Sequence, residues 1–315
     1  MNCVQPNRRS ALRLLLAALA LASLSLAPPA RAEREVEHAK GRTRVPERPR
    51  SVLVFDVAAL DTLDALGVEV AGVPGSNLPD YLARYRDKRY AKIGTLFEPD
   101  YEAVNAAAPD LIIVGPRSSA KYAELARMAP TLDLTVDPQH FVAGTRRNVA
   151  LLGDLFGREA EAAALVAKID AGITRVRKDA PAAGTVLMVM VNGGKLTAFG
   201  TGSRFGWLYD DLGLTPAATG GSAAAHGEVI SFEYILKTNP DWLLVLDRDA
   251  AVGHGGQAAR AALDNELVAA TRAAKSGHIL YLDPVRWYIS AGGGAALTVM
   301  VEELATALDT AQARR

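Results

Sequence analysis

The stretch DYEAVNAAAPDLIIVGPRSSA, residues 100–120, has a second copy in the same chain, SFEYILKTNPDWLLVLDRDAA, residues 231–251. At a constant offset of 131 and with no gap, Glu102 falls on Glu233, Pro109-Asp110 on Pro240-Asp241, Val114 on Val245 and Arg117 on Arg248. Each copy reads as a short helix, a Pro-Asp break, a buried apolar strand and a loop carrying an arginine. A duplicated helix–strand unit implies two similar α/β halves, each with a mainly parallel sheet.

The flanking sequence repeats the same alternation. Ahead of the first copy, SVLVFD (51–56) and VEVAGV (68–73) read as strands around the helix VAALDTLDALG, which Gly67 stops. Around the second copy, GTVLMVMVN (184–192) and HILYLD (278–283) read as strands, RFGWLYDDLG (204–213) and AALTVMVEELATALDTA (295–311) as helices. Between the halves, REAEAAALVAKIDAGITRVRKDA (158–180) has apolar residues at helical spacing and no proline before Pro181. One helix of that length spans about 30 Å and acts as a stiff strut, unless it belongs to one half alone.

The ends and the composition set the compartment. Arg8, Arg9 and Arg13 precede a 14-residue uncharged run (14–27), and Ala30-Arg31-Ala32 has the form of a cleavage site. The run falls short of the roughly 20 residues of a membrane span. Arg8-Arg9 matches a twin-arginine signal only in part, and Cys3 lies too early to carry a lipid at the cleavage point. Removing 1–32 takes four of the 35 basic residues and none of the 35 acidic ones. The remaining chain is mildly acidic and free of cysteine, which argues against a nucleic-acid binder and requires a fold without disulfides. The expected organisation is a signal peptide (1–32), a mobile charged leader (33–50) in which a strand could start near Val45, an N-terminal lobe (51–157), the connecting helix (158–181) and a C-terminal lobe (182–315).

In open α/β sheets ligands bind beyond the carboxyl ends of the strands. Arg117 and Arg248 both sit there, and Arg204 follows a strand and a glycine-rich turn. Three converging guanidinium groups repel one another unless an anion lies between them, and their planar forks suit oxygen anions. The alternative for each is a surface ion pair. His226, in a loop of small residues, and Tyr288, between a strand end and the last helix, are candidates to complete the coordination of a trivalent iron. Otherwise His226 is a solvated loop residue and Tyr288 an aromatic wall. His254 is a weaker rival ligand. Glu102 and Glu233 open equivalent helices, where a carboxylate suits the dipole or offers a partner two matched handles.

Three segments together, IGTLFEPDYEAVNAAAPDLIIVGPRSS, HGEVISFEYILKTNPDWLLVLDRDAAV and WYISAGGG, resemble the periplasmic substrate-binding proteins of iron–siderophore ABC importers. The similarity extends over nearly the whole chain after the signal and is greatest to the branch that binds ferric catecholates such as petrobactin. The resemblance implies two Rossmann-like lobes joined by one long helix, the helical-backbone type of class III periplasmic binding proteins. It implies that Arg117, Arg204 and Arg248 contact catecholate oxygens, and that His226 and Tyr288 ligate iron when a siderophore supplies four donors. It implies that Glu102 and Glu233 dock on an inner-membrane ABC permease. The implied protein is a periplasmic monomer and not an enzyme. Its cargo is Fe³⁺ as a siderophore complex, with no permanent cofactor. Two other readings stay open. The same fold could carry haem, cobalamin, or free zinc or manganese, although the arginines suit none of the bare divalent ions. An exported metal-dependent hydrolase would use His226, Tyr288 and Asp247 as an acid/base set, but the chain has no GxSxG, HExxH or P-loop pattern.

Overall fold

The computed structural model describes residues 32–218, 226–253 and 258–314. The expected signal peptide up to residue 31, residues 219–225 of the loop before His226, and His254 lie outside the described residues.

The first described element corrects an expectation. Residues 33–50, read as a mobile leader, hold an antiparallel hairpin of β1 (Glu33–His38) and β2 (Gly41–Pro46). The reason is local: Val36 and Val45 are buried in the core of the N-terminal half, while the charged residues between them face outward. Gly41, at φ +118°, supplies the turn. The hairpin is pinned to the rest by Ala39 N, which donates to Asp133 O at 3.0 Å.

Two sheets follow. The first is wholly parallel, in the order β5-β4-β3-β6-β7, with β3 (Val52–Val54), β4 (Gly72–Val73), β5 (Ala91–Lys92), β6 (Leu111–Val114) and β7 (Thr131–Asp133). The second runs β11-β9-β8-β12-β13, with β8 (Thr185–Asn192), β9 (Lys195–Phe199), β11 (Glu228–Ile230), β12 (Trp242–Asp247) and β13 (Ile279–Tyr281). A short β10 (Thr215–Pro216) also pairs with β8. This second sheet is mixed: β9 is antiparallel to both β8 and β11. Gly193 and Gly194, both at positive φ, close the two-residue turn that makes β8 and β9 a hairpin.

The repeat is one structure built twice. Its helices are Tyr101–Ala107 and Phe232–Thr238, opened by Asp100 and Ser231, which accept from Ala103 N and Tyr234 N. Both end in a left-handed residue at equivalent positions, Ala108 (φ +42°) and Asn239 (φ +46°). The Pro-Asp break also has a job. Asp110 accepts from the backbone N–H of Arg50 and Ser51 just ahead of β3, and Asp241 accepts from Thr185 N at the start of β8. Each aspartate thereby ties its strand to the neighbouring one.

The connecting helix runs Glu159–Ala183, so Pro181 lies inside its last turn. A second long helix, Gly294–Ala313, packs along it. Gly172 permits the approach, since a Cβ there would lie 2.4 Å from Val301 Cγ2, and Arg175 pairs with Glu302 and, at 2.7 Å, with Asp309. The second helix starts against the N-terminal half: Gly294 N donates to Thr62 Oγ1 and Ala296 N to Asp61 Oδ2, both at 2.9 Å. The helix Glu159–Ala183 is thus the chain's link between the halves, and the second helix braces it. Among the described residues no helix is long and apolar enough to cross a membrane.

Candidate functional site

Between the two halves lies a cavity of about 640 Å³, within the range usual for small-molecule sites. Arg117, Arg204, Arg248, His226 and Tyr288 all line it. Glu102 and Glu233 do not; both are exposed in the first turns of the paired helices.

Tyr288 is the centre of the arrangement. Its ring has the guanidinium carbons of Arg117, Arg204 and Arg248 at 5.4, 5.1 and 5.4 Å from its centroid. The ring is held firmly. Tyr288 ends the short helix Pro284–Tyr288, which Asp283 caps by accepting from Val285 N and Arg286 N. The preceding Trp287 is fully buried, stacks on Trp207 at 5.5 Å, and donates Nε1 to Glu303 Oε2 at 2.8 Å.

Each arginine arrives from a different element. Arg117, in the loop after β6, crosses between the halves and donates to the carbonyls of Tyr288 (2.7 Å) and Ile289 (3.1 Å). Its guanidinium carries five N–H donors, so capacity remains for a ligand. Arg248, directly after β12, donates Nε to the Tyr288 hydroxyl at 2.9 Å and Nη1 to Asn192 Oδ1 at 3.0 Å. Arg204 stands on the turn after β9, where Ser203 Oγ donates to Gly200 O at 2.6 Å, and it lies over the Phe205 ring as well. Burial pushes the Arg204 guanidinium below its ordinary value and the Arg117 charge adds to this, while Tyr288 opposes it. An arginine so lowered still stays charged.

Among the described residues none of the three has a carboxylate within ion-pair distance. The nearest acid of the lining is Asp56, buried beneath the Arg117 loop, where it caps the helix Val57–Ala65 by accepting from Ala59 N at 3.1 Å. Burial raises its carboxyl above the usual range, and Arg117 partly offsets that. The cavity thus concentrates positive charge behind low-dielectric walls of Phe141, Phe205 and Trp207, which favours an anion.

A second cavity, about 670 Å³, lies between β13 and the Gly294–Ala313 helix. It faces Asp283, Glu302 and Glu303 with Arg314 as its cation, the wrong balance for an anion. Asp247, the acid of the hydrolase reading, is occupied as a cap: it accepts from Ala250 N and Ala259 N. Among the described residues no three His, Cys, Asp or Glu side chains cluster as a bare metal site would require.

The sequence identified the arginines, His226 and Tyr288 of the cavity but not Asp56 or its walls. Asn192, which orients Arg248, and the aromatic floor of Trp207 and Phe141 (stacked at 5.2 Å) come together only in the folded chain. The signal available for Asn192 was its place at the carboxyl end of β8, facing the same crevice.

The profile of a family described as periplasmic binding protein matches residues 52–285. The petrobactin-binding protein YclQ of Bacillus subtilis (strain 168) is 40% identical over 273 residues, 86% of either chain. Its crystal structure superposes with a TM-score of 0.84, covering 88% of this chain and 99% of that one. The periplasmic catecholate-siderophore binding protein VctP from Vibrio cholerae is 37% identical, with a TM-score of 0.82 over 87% of this chain and all of its own. The siderophore binding protein BauB, solved with a complex between two molecules of acinetobactin and ferric iron, is 29% identical, with a TM-score of 0.81 over 88% and 99% of the two chains.

Proposed function

The chain belongs to the periplasmic binding protein family, and from that premise we propose that it captures a ferric catecholate siderophore between its two lobes and delivers it to an inner-membrane ABC permease. The observation that carries this reading is the set of three guanidinium groups around one tyrosine ring, with no carboxylate paired to them among the described residues. Such a site attracts an anion. The relatives named for petrobactin and for catecholate siderophores narrow the anion to an iron chelate.

In this reading Arg117, Arg204 and Arg248 donate hydrogen bonds to the catecholate oxygens, which carry the negative charge of the complex. Two doubly deprotonated catecholates leave Fe³⁺ with one net negative charge and two open positions. His226 and Tyr288 fill those positions; with three catecholates there is no vacancy and only the arginines act. Iron is cargo here and not a resident cofactor, and the protein binds without turnover. Glu102 and Glu233, equivalent on the two lobes and clear of the cavity, are the handles for the permease. The N-terminal lobe takes in the β1-β2 hairpin as well as residues 51–157, the helix Glu159–Ala183 is the strut, and the C-terminal lobe follows it. The protein works as a monomer in the periplasm after loss of residues 1–32.

The test is a titration of the mature protein with ferric tetradentate and hexadentate catecholates. Quenching of Trp207, which lines the cavity, and the iron charge-transfer band report binding. Tight binding of both by the unmodified protein is expected. His226→Ala and Tyr288→Phe should weaken the tetradentate complex and displace its charge-transfer band while leaving the hexadentate one within about twofold. Failure to bind either chelate refutes the function. Variants that match the unmodified protein for the tetradentate complex refute the coordination.

A further inference from the structure

Among the described residues lining the interlobe cavity, Phe97 is the one exposed Phe, Tyr or Trp, with 58% of its surface open. The other aromatic residues of the lining, Phe141, Phe205, Trp207 and Tyr288, are buried or half-buried. Among the described residues Phe97 has no ring partner, and it belongs to none of the apolar cores. Its neighbour Leu96 does that work, 4% exposed in the core of the N-terminal half.

The turn that presents Phe97 is tightly held. Thr95 N donates to Glu98 O at 2.9 Å, and Thr95 Oγ1 accepts from Glu98 N at 2.9 Å and Phe97 N at 3.2 Å. Gly94, at φ +113°, lets the chain close on itself; a Cβ there would stand 2.4 Å from Glu98 O. Glu98 then pairs with Lys121 at 2.8 Å, clamping the turn to the segment just after Arg117. The ring contributes little to the fold, and its place on the cavity wall leaves its face open to a bound ligand.

We propose that Phe97 is an aromatic platform on the N-terminal lobe that stacks against an aryl ring of the bound chelate, so that the site selects aryl-bearing iron complexes over aliphatic ones of similar charge. This rests on the capture reading above and adds a recognition element to it. The arginines respond to the charge of any oxygen-donor chelate. They cannot tell a catecholate from an anionic α-hydroxycarboxylate complex, because both present oxygen anions to the same N–H groups. A ring face can, since offset stacking requires a second π system.

The experiment compares two probes: a synthetic ferric complex of two catechol amides joined by a linker, and ferric citrate. Affinities are measured by Trp quenching for the unmodified protein, Phe97→Ala, Phe97→Leu and Phe97→Tyr. Because Phe97 is exposed and outside the cores, thermal melting of all three variants should coincide with that of the unmodified protein. Phe97→Ala should bind the catecholate complex roughly tenfold more weakly, the scale of one lost aromatic contact, and ferric citrate unchanged. Phe97→Tyr should retain affinity and Phe97→Leu should lose most of it. Phe97→Ala within about twofold of the unmodified protein for the catecholate, equal losses for both probes, or full recovery in Phe97→Leu each overturn the platform. An unmodified protein that binds neither probe refutes the capture reading and the platform with it.

Discussion

Asp61 offers a prediction whose size can be worked from the structure. It sits on the Val57–Ala65 helix, 1% exposed, and with Thr62 joins this helix to the one beginning at Gly294. Its Oδ2 accepts from Ala296 N at 2.9 Å and its Oδ1 from the Tyr81 hydroxyl at 3.0 Å. That hydroxyl also lies 2.7 Å from Ser290 Oγ, and Arg286 covers the Tyr81 ring at 4.4 Å. Gly293 has to be a glycine, because a Cβ there would stand 2.4 Å from Asp61 Oδ2. Burial pushes the Asp61 carboxyl from 3.8 up to about 6, against the opposing pull of Ala296 N–H, Tyr81 and Arg286.

A carboxyl whose value rises on folding holds its proton more tightly in the native state. Its stabilising effect is therefore fully present below about pH 4 and is lost as the pH rises through about 6. A rise of about two units corresponds to about 3 kcal/mol across that window. Asp61→Asn keeps the shape and an oxygen for Ala296 N but cannot ionise. Urea unfolding followed by Trp fluorescence, at pH steps from about 4 to about 7, should show the variant gaining on the unmodified protein by up to about 3 kcal/mol as the pH rises. The absolute offset between the two is irrelevant; the change with pH is the signal. Two curves that stay parallel throughout would refute the reasoning.

Two further outcomes follow from the scaffold and the docking surface. Ala108 occupies a left-handed position that costs about 1 kcal/mol for a non-glycine residue with no polar side chain, and the second copy has Asn239 there; Ala108→Asn should raise the urea midpoint without changing chelate affinity. Glu102→Ala and Glu233→Ala, exposed and clear of the cavity, should leave chelate affinity unchanged while together cutting import in vesicles reconstituted with the cognate permease; undiminished import removes them as handles.

How much of this was legible from the residues depends on the range of the contacts involved. The repeat placed its two helices at 101–107 and 232–238, its Pro-Asp breaks and its arginines at strand ends. All of these are set by neighbours within a few residues: caps, apolar periodicity and turn chemistry. The long helix was legible for the same reason, to within two residues at its end. Of the hairpin at 33–46, only a strand near Val45 was legible; β1 was missed because Val36 and Val45 alone are buried, too few to make a periodic signal against its charges.

The candidate site divides along the same line. That Arg117, Arg204 and Arg248 each follow a strand is sequence information. That they surround one tyrosine ring is not, since Arg117 reaches Tyr288 across 171 positions of chain and only the packing of the two halves brings them within 3 Å. Asp61 meets Ala296 across 235 positions, and Phe97 faces a cavity whose opposite wall lies in the other half. Local sequence determined which groups each half would present, because helices, strands and turns form from adjacent residues. Tertiary structure alone decided which of those groups share a volume, because that depends on how two long helices pack and where they hold the halves apart.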